Sequence, residues 1–161
     1  MSGARIPLAA LRDPVVLVAT GFGLGCLRPG PGTWGTLLGI PLALGLATLP
    51  LWAALAALAV FAAAGVVLCR AAGERLGMHD PGGVVFDEIV GYALAVVWFP
   101  AEPLALAIGF LWFRVFDIAK PWPVSWADRA LPGGLGVMAD DVVAGALAAV
   151  ASAGSLALLV G

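Results

Sequence analysis

The sequence predicts an all-α, polytopic integral membrane bundle of about four to five membrane-embedded helices, with its chemistry at the cytoplasmic face. Three observations predict it. Apolar residues make up 62% of the chain and charged residues 11%, against roughly 45–50% and about 25% in an ordinary soluble domain. Mean hydropathy is +1.06. Residues 29–69 form 41 uncharged positions in a row, and about 20 suffice to cross ~30 Å of hydrocarbon. Eight Lys/Arg and ten Asp/Glu are too few to cover a soluble globule, and they leave no basic excess for nucleic acid. At 161 residues, a single domain over 1–161 is expected.

The elements follow in order. Val15–Ala19 is apolar, but Asp13 precedes it and a Gly/Pro-rich segment follows in place of a cleavage site, so no secretory signal peptide is expected. Pro50 divides the long uncharged run into a short span, Thr36–Leu49, and a full one, Leu51–Cys69. Val84–Pro100 makes the third, and Ala101-Glu102-Pro103 reads as a turn. Leu104–Phe116 is a short fourth span and Val142–Gly161 the last. A cytoplasmic N-terminus places Arg5, Arg12, Arg28, Arg70, Arg75, Arg114, Lys120 and Arg129 on or near one face and leaves Glu102 alone opposite. That asymmetry is the one the positive-inside rule requires. It points to a multi-pass membrane protein with its basic face in the cytoplasm, and for a bacterial cell that membrane is the inner one.

Four short polar stretches interrupt the apolar background. The first, Arg28-Pro29-Gly30-Pro31-Gly32-Thr33, runs into the first span. Backbone N–H groups of Gly32 and Thr33 at a helix start suit a phosphate; a rigid turn capped by Thr33 is the plainer alternative. The second carries Asp80, Asp87 and Glu88 into the third span. A carboxylate within the bilayer costs several kcal/mol, roughly 2.5–3.5 even on the lenient insertion scale for Asp. Helix capping explains one such acid better than two. In the third, Arg114, Asp117 and Lys120 are spaced to share one helix face before Pro121 stops the helix. They suit a phosphoryl group beside a metal, or a salt-bridge ladder snorkelling to the interface. The fourth places Asp140 and Asp141 at the opening of the last span. One helix terminus does not satisfy vicinal carboxylates, whereas a divalent cation does.

The zigzag brings all four stretches to the cytoplasmic face. Five acids there (Asp87, Glu88, Asp117, Asp140, Asp141) call for a cation, and Arg114 and Lys120 for an anion. Mg²⁺ with a phosphate meets both demands. A small cation transporter is the rival reading, but it predicts acids spread through the bilayer rather than gathered at one face. Cys69 to Arg75 fits the C-x5-R spacing of cysteine-dependent phosphatases, yet Cys69 ends an apolar span and Glu74 would repel phosphate. Two cysteines, Cys26 and Cys69, are too few for a disulfide framework. A histidine-based phosphatase needs two histidines, and His79 is the only one.

At these residues the chain resembles the phosphatidylglycerophosphatase A family. Pro31-Gly32-Thr33-Trp34-Gly35-Thr36 looks like its P-G-T-x-G-S/T segment, and Asp80-Pro81 with Val85-Phe86-Asp87-Glu88-Ile89-Val90-Gly91 like its D-P…V-x-D-E-x-x-G segment. Phe113 to Pro123 and Gly136 to Gly145 match the last two. Gly30 stands where the family usually has alanine, and Thr36 where it has serine. The resemblance implies a Mg²⁺-dependent membrane phosphatase converting phosphatidylglycerol phosphate to phosphatidylglycerol, the precursor of cardiolipin. Its partners would be that lipid and the membrane, with no nucleic acid and no obligate protein partner. Glu88, Asp140 and Asp141 are then expected to hold Mg²⁺, with Asp87 as a further ligand or catalytic acid. Arg114 and Lys120 would bind the phosphate together with Gly32 and Thr33. Asp117 is the candidate base or nucleophile, or else a further ligand, and Asp80 a supporting acid behind the ligands. A phosphatase for another lipid phosphate is the alternative within enzymes.

Overall fold

The computed structural model describes residues 5–78 and 81–160, and among these there are helices and no strand. A 3₁₀ turn over Leu8–Arg12 leads into a short helix, α1 (Pro14–Ala19). Asp13 caps it, accepting from the Val15 N–H at 2.8 Å. The same carboxylate accepts from Arg75 at 3.0 Å, which fastens the N-terminal segment to the end of the third helix.

Helix α2 (Pro31–Leu46) begins earlier than the expected Thr36. Pro31 presets the helical φ at the first position, and Gly30 before it takes φ 73°, which glycine adopts without penalty. Half of the supposed loop is therefore the first helical turn. Helix α3 (Leu51–Leu76) likewise runs past Cys69, supported by an Arg70–Glu74 pair at 2.8 Å. It closes on Gly77 at φ 63°, with the Met78 N–H reaching back to the Gly73 carbonyl. The Cys69-to-Arg75 stretch is thus helix, not a phosphate-cradling loop.

Helix α4 (Phe86–Val96) is shorter than the expected Val84–Pro100; its 11 residues rise only ~16 Å. It lies at the centre, packed against α2, α3, α5 (Pro103–Ala119) and α7 (Gly133–Val160). Small residues permit that crowding: a Cβ on Gly91 would stand 2.7 Å from the Asp141 carbonyl oxygen, and one on Gly39 2.6 Å from the Tyr92 ring. Tyr92, fully buried, donates to the Leu106 carbonyl at 3.0 Å and meets Phe113 edge-on. A seven-residue helix, α6 (Val124–Ala130), lies between the expected fourth and last spans, where the sequence marks no element.

Helix α7 starts at Gly133 instead of Val142, so Asp140 and Asp141 lie two turns inside it. Its glycine-rich start packs against α3, where a Cβ on Gly134 would meet Arg70 Cβ at 2.9 Å. Leu51–Leu76 and Gly133–Leu159 are long and apolar enough to cross a membrane. Their outer faces are apolar and exposed, at Trp52, Val60 and Val67 on one and Val150 and Leu158 on the other. The ends of α3 and α5 and the beginnings of α2, α4 and α7 meet at one end of the bundle, and there the polar residues collect.

Candidate active site

Two of the site's acids arise from the start of α4. Asp87 and Glu88 occupy its first turn, where the helix dipole favours negative charge. Asp87 is buried, and one of its oxygens accepts from the Glu88 N–H at 3.1 Å. Asp141, buried on α7, completes a group of three: one carboxylate oxygen from each of Asp87, Glu88 and Asp141 lies within 4.8 Å of the others. Among the described residues none of these three takes an ion pair, and Glu88 Oε2 is buried with no hydrogen-bond partner. Three carboxylates packed so closely repel one another, and a buried unpaired oxygen carries a desolvation penalty. Both are relieved by a divalent cation with oxygen ligands. The donor set, all hard oxygens, fits Mg²⁺.

Two bases flank this group. Arg114, on the last turns of α5, pairs with Asp117 one turn on; both side chains are mostly buried. Its guanidinium also faces the first turn of α2, since a Cβ on Gly32 would stand 2.8 Å from Arg114 Nη1 and 2.6 Å from Glu88 Oε1. Asp117 lies against Asp141. Thr33 belongs to the same turn of α2, and its N–H bonds to the Gly30 carbonyl, so its backbone is helical rather than a free loop donor. Thr36, buried, donates its hydroxyl to the Gly32 carbonyl at 2.8 Å and serves the helix.

Lys120 departs from the expected face. Pro121 disfavours helix at the residue before it, and Lys120 ends α5 in the left-handed region at φ 43°. Its side chain reaches α6 and α7 instead of continuing the helix face of Arg114 and Asp117. There Nζ donates to Asp140 Oδ2 at 2.5 Å and to Asp128 Oδ1 at 2.9 Å. Partial burial disfavours the lysine's charge, but the bonds to Asp140 and Asp128 outweigh it and hold the pKa above the ordinary lysine range. Asp140 also accepts the Asp141 N–H at 3.1 Å. It is therefore engaged by Lys120, and Asp87, the further ligand the sequence offered, stands with Glu88 and Asp141 in the three-carboxylate group. Asp80 and His79 lie outside the described residues. Asp128 was missed, since nothing in a short segment between prolines marked it.

The family model for phosphatidylglycerophosphatase A matches residues 17–156, which include every site residue named above. The chain belongs to that family. The phosphatidylglycerophosphatase A of Escherichia coli (strain K12) is 38% identical over 142 residues, 86% of this chain and 81% of that protein. The phosphatidylglycerophosphatase A of Haemophilus influenzae is 37% identical, over 84% of each chain. A Bacteroides thetaiotaomicron protein named a putative phosphatidylinositol-3-phosphatase is 36% identical, over 81% of this chain and 86% of its own. No solved structure matches the chain. Membership of the phosphatidylglycerophosphatase A family makes it an enzyme, a phosphoric monoester hydrolase.

Proposed function

We propose that this phosphatidylglycerophosphatase A family member is a Mg²⁺-dependent lipid phosphatase. It hydrolyses phosphatidylglycerol phosphate to phosphatidylglycerol and inorganic phosphate, a step in phosphatidylglycerol and cardiolipin synthesis. The observation that carries this reading is the unpartnered, buried Glu88 Oε2 within three mutually close carboxylates, flanked by Arg114 and Lys120. Asp87, Glu88 and Asp141 would hold the ion. When bound, Mg²⁺ supplies Lewis acidity toward a phosphoryl oxygen.

The chain's own residues do the remainder. Arg114 and Lys120 donate N–H groups to the phosphoryl oxygens and offset the negative charge that gathers there in the transition state. The start of α2, without a side chain at Gly32, lets Glu88 and Arg114 lie against its first turn. Asp117, oriented by Arg114, accepts the proton of the water that attacks phosphorus. The phosphorus–ester oxygen bond breaks, and Asp117 passes the proton taken from water to the departing headgroup oxygen, which leaves as a hydroxyl while the water's oxygen stays on phosphate.

The chain works as one domain in the bacterial inner membrane. Helices α3 and α7 cross it, while α2, α4 and α5 embed beside them. The basic ends face the cytoplasm with the site, and Glu102 lies opposite. A second reading, a phosphatase for another lipid phosphate, is favoured by the name of the Bacteroides relative. Phosphate release by the detergent-purified protein with Mg²⁺ separates them, using phosphatidylglycerol phosphate, phosphatidate and phosphatidylinositol 3-phosphate. Release from the first at least about tenfold above the others is expected, a difference of ~1.4 kcal/mol in barrier. A preference for either other lipid would overturn the substrate assignment.

A further inference from the structure

Lys120 does not reach the site by continuing its helix. It is a non-glycine residue held at φ 43°, and its ammonium is caught between two carboxylates from two other helices. One is Asp140 on α7, beside the three-carboxylate group. The other is Asp128 on α6, exposed and not a member of that group. An ammonium has three N–H donors. Asp140 and Asp128 take two of them and leave one. A lysine stem is long and flexible, so a single partner would leave that third donor without a fixed direction.

We propose that Asp128 is a positioning residue. With Asp140 it aims the remaining N–H of Lys120 at a phosphoryl oxygen of the substrate. The inference rests on the phosphatase reading above. The Lys120 and Asp128 side chains are 35% and 40% exposed, and ion pairs at such exposure contribute little to stability. The role of Asp128 is therefore aim, and its loss acts on substrate binding more than on folding.

The test is steady-state phosphate release from phosphatidylglycerol phosphate, with thermal unfolding of the same preparations. Asp128→Asn should raise KM about 3- to 10-fold, with kcat within about twofold and an unchanged unfolding temperature. Asp128→Glu, which keeps the carboxylate, should restore KM to within about twofold of the parent. In a Lys120→Met background, Asp128→Asn should add no further loss, since the two residues act as a unit. An unchanged KM in Asp128→Asn would overturn the proposal. So would an equal loss with and without Lys120, which marks a purely structural role. Absence of phosphate release from the parent enzyme would instead remove the phosphatase reading, and the role of Asp128 with it. The KM comparison of Asn and Glu variants decides even where Lys120→Met is too slow to measure.

Discussion

Gly32 and Glu88 approach so closely that a methyl group on Gly32 would stand 2.6 Å from Glu88 Oε1. The contact joins the first turn of α2 to the first turn of α4, and Arg114 Nη1 meets the same point from α5 at 2.8 Å. Gly32 has no left-handed φ, so its worth lies in the space it leaves.

Gly32→Ala is accordingly expected to separate activity from stability. Alanine suits a helix better than glycine, by up to about 1 kcal/mol. The atoms it would displace are the far ends of flexible side chains, so the fold yields at little cost. Those ends are the chemical groups of the site, however, and a displacement on the order of 1 Å costs about 10²-fold in rate. Unfolding temperature held or raised, with phosphate release down about 10²-fold, is the outcome to look for. Full activity in the variant would place Gly32 outside the site.

Asp141 and Asp140 are neighbours in sequence with different partners, and their asparagine variants should differ in kind. Asp141→Asn removes a member of the close carboxylate group. Phosphate release should fall by about 10²-fold or more, and apo stability should rise as like-charge repulsion is relieved. Its stabilisation by Mg²⁺, up to about 2.7 kcal/mol at a hundredfold excess over Kd for the parent, should disappear. Asp140→Asn should keep that stabilisation and lose rate through Lys120. Thermal unfolding with and without Mg²⁺ checks both. Equal loss of the Mg²⁺ effect in the two variants would return Asp140 to the ligand set.

Much of this site was legible in the sequence, because carboxylates and bases are conspicuous in an apolar chain. Glu88, Asp141 and Arg114 were named as site residues from that contrast alone, and the structure brings them together. Asp140, expected with Glu88, Asp141 and Asp87 around the ion, stands apart from the other three for a geometric reason. The glycine-rich segment before Asp140 reads as a loop, yet it continues α7 because Gly134 allows α3 to pack against it. A helix through that point sends adjacent residues in different directions, Asp141 toward α4 and Asp140 toward Lys120. Helix periodicity also put Lys120 on the Arg114 face, where the left-handed turn before Pro121 removes it. Pro31 marks the start of α2, a signal that the glycines around it obscure in the sequence.

Cys69 offers a negative control. It lies buried in helix α3, and Arg75, which the C-x5-R spacing pairs with it, bonds instead to Asp13. Cys69→Ala should cost on the order of 1 kcal/mol of stability from lost packing and retain Mg²⁺-dependent phosphate release within about threefold. Loss of turnover in a folded Cys69→Ala protein would reopen thiol chemistry.

The arrangement of helices makes an orientation prediction. A cysteine introduced at Glu102, in a background without Cys26 and Cys69, should be labelled by a membrane-impermeant maleimide from the periplasmic side. One introduced at Arg129, on α6, should be protected until the membrane is opened, in keeping with basic residues facing the cytoplasm. The reverse pattern would invert the topology.

The most direct measurement is phosphate release from phosphatidylglycerol phosphate by the purified protein in Mg²⁺, in EDTA, and again after Mg²⁺ is restored. Asp87, Glu88 and Asp141, close together and without a cationic partner among the described residues, call for activity that vanishes in EDTA and returns with the metal. Turnover unchanged by EDTA would contradict the metal site at its root.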